Sequence, residues 1–267
     1  MKLSVVLITF NEEANLARTL ISVKPLVADG QGEIIIVDSG STDRTVEIAN
    51  AFGAKVFIEE WKGYAAQKNS AIDKATGDWI LSLDADEEVS HGAQQAIQGI
   101  VGPDSQKYAS VAGLWFARRN YFLGRWIKHG GFHPDRKLRL FQRGQGDFRT
   151  LLVHETVSVR GRTAVAEHDY NFGDIFLIHH AYPTLSGYID HMNRYSSLGA
   201  EMAVAEGRRG FSIANILIRP MATFIYNYFF RLGFFDGREG LLLHLYHAVY
   251  VSWKYAKAWE LAQKQNK

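Results

Sequence analysis

Two periodicities of apolar residues alternate over the first hundred residues. Apolar runs typical of buried strands occupy Leu3–Thr9, Glu33–Asp38, Ala54–Ile58 and Trp79–Asp84. Between them, helices are predicted over 14–23, from Thr42 to Phe52, and over 65–75, with Leu16, Leu20 and Val23 setting the helical spacing of the first. Strands that alternate with helices at these lengths form a parallel sheet that helices cover on both faces. The pattern therefore predicts the nucleotide-binding half of an α/β fold.

The alternation ends after about Gly102. Strands are predicted at 111–116, 137–142 and 175–179, and helices at 185–206, 213–232 and 240–259. We therefore expect a domain over 1–184, divided into a nucleotide-binding half (1–102) and a second half (103–184), and a helical extension over 185–267. The uncharged stretches of this extension are shorter than the roughly 20 residues that a spanning helix needs.

Polar residues follow three of the four predicted strands: Thr9-Phe10-Asn11-Glu12, Asp38-Ser39-Gly40-Ser41 and Asp84-Ala85-Asp86. The carboxyl ends of parallel strands are where ligands bind, so these segments predict one site. If the strand conformation continues through Ala85, Asp84 and Asp86 project to the same side, where they can share a divalent ion or divide an ion and a ribose between them. The alternative is a solvated acidic turn that leads into a helix.

Composition and missing motifs exclude several classes of protein. The chain has 267 residues and is 47% hydrophobic, which predicts a folded core and excludes wholesale disorder. No Gly-x-Gly-x-x-Gly or Gly-x-x-x-x-Gly-Lys-Ser/Thr motif follows the first strand, which argues against NAD enzymes and P-loop ATPases. The absence of cysteine excludes disulfides and zinc–thiolate sites and fits a reducing compartment.

The spaced motifs resemble the family 2 inverting glycosyltransferases of the GT-A fold, an α/β fold with a central mixed sheet. To the three strand-end segments they add Gln67-Lys68-Asn69, Pro134–Phe141, Val153-His154-Glu155, His179–Tyr182, Asn193–Ser196 and Gly233–Gly237. The later motifs resemble the subgroup that adds glucose to the inner core of bacterial lipopolysaccharide. This resemblance implies a UDP-sugar donor, a lipid-linked glycan acceptor and Mg²⁺ or Mn²⁺, with no nucleic acid as partner. It also implies that residues 1–102 are the nucleotide-sugar half of the first domain and residues 103–184 its acceptor half.

The resemblance also implies roles for single residues. Asp38 would take the uracil edge, Asp84 would contact the ribose, and Asp86 would bind the metal, with His179 completing its ligands. The other residues expected to contact the UDP-sugar are Thr9, Asn11, Glu12, Ser41, Lys68 and Arg139. A solvated Lys68 and a structural ion pair of Arg139 are the alternatives for the last two.

An inverting transfer needs a base that takes the proton of the acceptor hydroxyl. The resemblance implies Glu155 for this role, and Asp135 is its rival because it too lies in a loop expected to overhang the site. Two other functions remain open. A nucleotidyltransferase would use a similar sheet and metal, and a non-catalytic scaffold would bind nucleotide-sugar without turnover.

The C-terminal end combines aromatic residues with positive charge. The chain carries a net charge of +2, but Arg208–Lys267 holds nine Lys or Arg against three Asp or Glu. The segment Ile213–Leu232 is more apolar than a solvent-facing helix needs. It either packs on the core or a second subunit, or lies in the plane of an anionic membrane. The membrane alternative predicts a cytoplasmic protein that is peripheral on the inner face of the cytoplasmic membrane.

Overall fold

The computed structural model describes residues 1–102, 110–149, 156–166, 174–207 and 211–265. Strands and helices alternate through its first part as β1 (Leu3–Thr9), α1 (Leu16–Val27), β2 (Gly32–Asp38), α2 (Thr45–Ala51), β3 (Lys55–Ile58), α3 (Tyr64–Asp73), β4 (Trp79–Leu83), β5 (Glu87–Val89) and α4 (His91–Val101). The four strands predicted from the sequence are thus confirmed, with ends that shift by one residue at most. Strand β5 and helix α4 were not predicted.

Later strands complete the main sheet or pair in a separate two-stranded sheet, and helices end the chain. They are β6 (Gly113–Phe122), β7 (Arg125–Trp126), β8 (Asp135–Gln142), β9 (Gly146–Arg149), β10 (Thr156–Val159), β11 (Thr163–Val165), β12 (Phe176–Tyr182), α5 (Leu185–Ala205), α6 (Arg219–Ile225) and α7 (Gly237–Gln265). Strands β9 and β10 pair with each other and form the separate sheet. Helix α6 has a π-helical segment on each side, Ala214–Ile218 and Tyr226–Phe230. The three predicted C-terminal helices are confirmed.

The sheet is mixed, in the order β3-β2-β1-β4-β8-β6-β12-β5. Strands β1 to β4 are parallel, and β8 joins β4 in antiparallel pairing. Alternate residues of β1 enter opposite cores: Leu3, Val5 and Leu7 pack with helices α1 and α4, while Val6 packs with α3. Because successive strand residues point to opposite faces, burial on both faces accounts for the continuous apolar runs in the sequence.

The chain forms two compact units. One comprises residues 1–118 and 135–179, and the other comprises 119–134 and 180–267. The segment 119–134, which the sequence analysis placed in the acceptor half, is therefore grouped with the C-terminal helices. In that second unit, α5 and α7 bury Ala200, Ala203 and Ala258. No helix in the described ranges combines the length and apolar content needed to cross a bilayer.

One carboxylate ties three strands and the loop before β4 together at the amino-terminal end of the parallel sheet. Glu33, on β2, accepts hydrogen bonds from Ser4 Oγ at 2.7 Å, from Lys55 Nζ at 2.7 Å, and from the backbone and hydroxyl of Thr76 at 2.7 Å. Burial alone would raise its pKa, but these donors prevail and lower the pKa of Glu33 to about 2. The folded state therefore favours the ionised form of this side chain.

This arrangement predicts a pH-dependent contribution to stability. Glu33→Gln should lower the free energy of unfolding by about 2 kcal/mol at neutral pH, because the ionised carboxylate is bound more strongly in the folded chain than in the unfolded one. A depressed pKa stabilises the fold above the ordinary value of 4.5, and this contribution disappears as the pH falls towards 2. Chemical denaturation of both proteins at neutral pH and near pH 2.5 measures the difference.

Glu60→Gln is the control, because Glu60 is exposed next to β3. It should change stability by less than about 0.5 kcal/mol. A Glu33→Gln protein as stable as the wild type at neutral pH, or a difference that persists unchanged in acid, would contradict the assignment.

Candidate active site

Three strands deliver their polar ends to one edge of the sheet. In the parallel register, Thr9 lies beside Asp38, and Leu7 lies beside Leu83, the last residue of β4. Asp84 follows immediately. The three polar segments that follow β1, β2 and β4 therefore share the carboxyl edge, as the sequence analysis expected.

Asp38 is fully buried and shapes the loop that follows β2. Its two carboxylate oxygens accept from Thr9 Oγ1 at 2.7 Å, from the backbone N–H groups of Gly40 and Ser41 at 3.0 and 2.7 Å, and from Ser41 Oγ at 2.6 Å. Gly40 has φ +85°, a left-handed conformation that glycine adopts without strain. The carboxylate thus acts as the local centre of a tight turn, and its contact with a uracil stays a prediction.

The loop after β1 is locked onto this turn. Asn11 donates its backbone N–H to Ser41 Oγ at 2.8 Å, and its side-chain oxygen accepts from the Thr42 backbone at 2.9 Å. One residue on, Glu12 donates its N–H to Thr45 Oγ1 at 2.7 Å. Asn11 has φ +54°, which asparagine tolerates better than most residues. The two loops therefore form one preorganised surface, from which Phe10 and Asn11 are exposed.

Asp84 and Asp86 lie on a turn and not on a continuing strand, so the condition under which both would project to the same side of a strand is not met. Strand β4 ends at Leu83, and the backbone N–H of Glu87 donates to the Asp84 carbonyl at 3.1 Å. The turn leads directly into β5 and not into a helix, which also corrects the alternative. Both aspartates stay accessible, with side chains 31% and 26% exposed.

Asp86 forms a pair with His179, which lies 93 residues later in the sequence. Their Oδ2 and Nε2 atoms are 3.2 Å apart. The antiparallel ladder of β5 and β12 places His179 opposite Glu87, the residue next to Asp86, and this explains the proximity. Burial would raise the pKa of Asp86, but the bond and charge of His179 lower it overall.

The pair offers two groups of the kinds that ligate divalent metals. A carboxylate oxygen and an imidazole nitrogen suit Mn²⁺ well, and Mg²⁺ accepts the oxygen while retaining water. Among the described residues, no cluster of three or more His, Asp or Glu completes a protein-only site. The residues therefore fit a metal that takes its other ligands from a bound diphosphate and water.

Glu12 adds a third carboxylate to this edge. Burial raises its pKa, and the charges of Asp86, Asp43 and Asp84 raise it further, against a hydrogen bond from Asn15. Electrostatic repulsion between these acids is the pattern expected where a cation binds. Glu12 is thus close enough to the two aspartates for their charges to act on it, and its contact with the UDP-sugar stays a prediction.

Beneath the turn lies a buried ion-pair cluster. Glu87 is completely buried, and its Oε1 accepts from Arg139 at 2.7 Å and from Arg118 at 3.0 Å. Its Oε2 accepts the backbone N–H of Asp84 at 3.1 Å, while Arg139 also bonds the Asp84 carboxylate at 2.5 Å. The structural ion pair of Arg139 is thereby found. Whether Arg139 also contacts phosphate stays a prediction.

Two further candidates are engaged by opposite charges. Lys68 is buried, bonds Asp84 at 2.8 Å and lies 5.1 Å from the Phe148 ring, so the alternative of a solvated lysine is wrong. Asp135 is held by Arg118 at 2.7 Å and by Lys137 at 3.1 Å. To act as the base, Asp135 would have to accept a proton on an oxygen that already binds Arg118 or Lys137.

Glu155, the first choice for the base, lies outside the described residues. Glu87 and Arg118 are the functional candidates that the sequence analysis missed. Glu87 follows Asp86 directly in the sequence, but only the antiparallel strands β6 and β8 bring two arginines to it. The sole available signal was a carboxylate inside an otherwise buried segment, which requires a partner.

The comparisons with known proteins agree with this geometry. The family model Glycosyl transferase family 2 matches residues 4–167. An uncharacterized glycosyltransferase of Rickettsia typhi is 31% identical over 98% of this chain and 88% of its own length. The lipopolysaccharide core biosynthesis glycosyltransferase LpsC of Rhizobium meliloti is 28% identical over 97% of this chain and 93% of its own length.

A solved structure supports the fold. The mannosyltransferase PcManGT of Pyrobaculum calidifontis, determined with GDP-mannose and Mn²⁺, is 17% identical and superposes with a TM-score of 0.51 over 98% of this chain and 75% of its own. The GT-A fold expected from the sequence is thereby confirmed. With the family match over residues 4–167, these findings show that the chain belongs to glycosyl transferase family 2 and is a glycosyltransferase.

Proposed function

We propose that this protein is an inverting glycosyltransferase that moves a hexose, glucose by resemblance, from a UDP-sugar to an inner-core heptose of lipopolysaccharide or to a similar lipid-linked glycan. The observation that carries the proposal is the pair of Asp86 and His179 beside the accessible carboxylate of Asp84. The likeness to LpsC over nearly the whole chain supports the choice of acceptor. Such an acceptor would be met at the inner face of the cytoplasmic membrane.

The interlocked loops after β1 and β2 would receive the nucleoside. Asp38 fixes the turn that follows β2 and, by resemblance, would bind the uracil edge. Asp84 would accept a hydrogen bond from the ribose. The remaining residues of this pocket are Thr9, Asn11, Glu12 and Ser41. Because their backbone positions are already fixed by hydrogen bonds, little conformational entropy is lost on binding.

Asp86 and His179 would hold Mg²⁺ or Mn²⁺, which supplies positive charge to the diphosphate as the glycosidic bond breaks. In this structure, the side chains of Lys68 and Arg139 each form an ion pair with the carboxylate of Asp84. Burial would raise the pKa of Asp84, but these two cations lower it well below its ordinary value. Asp84 therefore stays ionised and accepts hydrogen bonds at any physiological pH.

The attack of an acceptor hydroxyl requires a proton acceptor on the face opposite the leaving nucleotide. Glu155 is the proposed base. Asp135 is the weaker choice, since Arg118 and Lys137 bind both of its oxygens.

The direct test is transfer of labelled glucose from UDP-glucose to lipopolysaccharide truncated after the inner-core heptose, with Mn²⁺ present. Asp86→Asn should reduce transfer by at least about a hundredfold, because the isosteric amide removes the ligand charge without changing the packing. Glu88→Gln is the control, since Glu88 lies two residues away and pairs with Arg18 at 3.1 Å. It should retain nearly full activity.

Normal turnover of Asp86→Asn would contradict the assignment of the metal ligand. Transfer by the wild type that continues unchanged in EDTA would contradict the metal requirement itself. The anomeric configuration of the product, read by NMR, tests inversion independently.

The buried cluster predicts a large effect on stability. Glu87→Gln removes the buried carboxylate that Arg118 and Arg139 share. Arg118 keeps Asp135 and Arg139 keeps Asp84, but removing one member of a buried ion-pair cluster still costs about 3 kcal/mol. Urea denaturation should show this loss, and Glu88→Gln should not. If Glu87→Gln were destabilised by less than about 1 kcal/mol, the cluster would not be what holds the Asp84 turn.

A further inference from the structure

The helical run before α7 presents a continuous row of exposed apolar side chains. The row consists of five consecutive pairs, each four residues after the last: Ile213/Ala214, Leu217/Ile218, Met221/Ala222, Ile225/Tyr226 and Phe229/Phe230. We call these ten residues the apolar stripe. Ile218 is 62% exposed and Phe230 is 75% exposed, so large hydrophobic groups face outward along the whole run.

Residues spaced by four also form two further rows along the helical run, one polar and one less exposed. Polar residues follow each pair of the stripe at Asn215, Arg219, Thr223, Asn227 and Arg231. The face at 216, 220, 224 and 228 is the less exposed one, and it includes the buried Pro220. The Ile216 carbonyl accepts from Ser252 Oγ of α7 at 2.9 Å, which anchors the run in its own unit.

The unusual helical geometry keeps the stripe straight. In a regular α-helix of 3.6 residues per turn, side chains spaced by four drift steadily around the axis. The π-helical segments Ala214–Ile218 and Tyr226–Phe230 are wound more widely and flank α6, so the average period approaches about four. The ten side chains therefore occupy one side of the run from end to end.

The charges around the stripe indicate which kind of surface it would bind. Residues 211–235 contain no Asp or Glu, and their two charged residues are Arg219 and Arg231, both exposed. The unit to which they belong, residues 119–134 and 180–267, holds thirteen Lys or Arg against six Asp or Glu, a net charge of +7. Arginine beside exposed aromatic rings is the composition of helices that bind anionic lipid surfaces.

We propose that the apolar stripe lies in the plane of an anionic lipid bilayer and inserts its side chains at the level of the headgroups. A second copy of the chain is the less suitable occupant. A two-fold contact along a stripe whose only charged neighbours in residues 211–235 are arginines would place like charges against each other. This inference concerns residues to which the proposed function assigns no role, and it is tested without any sugar-nucleotide.

The chain contains no cysteine, so a single introduced thiol can be labelled at a chosen position. Ile218→Cys and Phe230→Cys would carry an environment-sensitive fluorophore such as NBD. Ile21→Cys is the matched control, because Ile21 is 61% exposed on α1, in the other unit. Vesicles of phosphatidylcholine alone, or of equal parts phosphatidylcholine and phosphatidylglycerol, are then added.

The expected result is a blue shift with increased intensity at positions 218 and 230 on the anionic vesicles, a weaker response on neutral vesicles, and none at position 21. Added salt should reduce the response, because arginine contributes to binding. In vesicle flotation, the double variant Ile218→Glu with Phe230→Glu should bind about tenfold less, and Ile21→Glu should bind like the wild type. Melting curves establish that each variant is folded.

Absence of a blue shift at both stripe positions on anionic vesicles would overturn the proposal. So would an equal shift at position 21. A shift that appears without vesicles and grows with protein concentration would assign the stripe to a contact between copies, which sedimentation velocity would detect as a dimer.

Discussion

The site depends on one buried carboxylate. Glu87 lies between Arg118 and Arg139 and also accepts the backbone N–H of Asp84. Removing ions from water costs several kcal/mol for each ion, and such a cluster is tolerated only when nearly every group has a partner. The cluster here joins β5, β6 and β8 around the turn that carries Asp84 and Asp86. Burying these charges costs free energy, but the same hydrogen bonds fix the position of the two accessible aspartates.

That fixed turn explains how distant residues meet. Strand β5 has three residues, yet its pairing with β12 sets His179 next to Asp86. The cations beneath the turn keep Asp84 ionised, and the imidazole lowers the pKa of Asp86. The exposed side of the turn is thus negative and partly hydrated, while its buried side is balanced by arginine and lysine. This asymmetry suits a cation and a diphosphate that bind together.

The parallel half of the fold could be predicted because its signals are local. Runs such as Leu3–Thr9 are buried on both faces, and their polar ends mark the ligand edge. Whether the strand conformation continues through Ala85 was left open, because the backbone hydrogen bond from Glu87 that makes the turn leaves no trace in the residue pattern. Strand β5 was missed for a related reason. Its three residues, Glu-Glu-Val, are too few to show a strand periodicity, and the strand with which it pairs, β12, lies about ninety residues away in the sequence.

The environments of side chains were harder to predict from the sequence than the positions of helices and strands. Lys68 shows the limit: it was expected to contact the UDP-sugar, with a solvated lysine as the alternative, and the fold places it in a buried pair with Asp84. Arg139 was left between phosphate binding and an ion pair, and only the fold supplied the two acids that it contacts. Resemblance directed attention to Asp86 and His179, which the structure brings within 3.2 Å of each other.

The most direct test of the central claim is thermal stabilisation of the purified wild-type protein by UDP-glucose, UDP-galactose, UDP-N-acetylglucosamine and GDP-mannose, each with Mn²⁺ or with EDTA. The account predicts a rise in Tm with UDP-glucose that requires Mn²⁺ and exceeds the rise with GDP-mannose, since a ligand that binds only the folded state stabilises it. No rise with any UDP compound, or an equal rise in EDTA, would contradict a metal-dependent UDP-sugar site at this edge of the sheet.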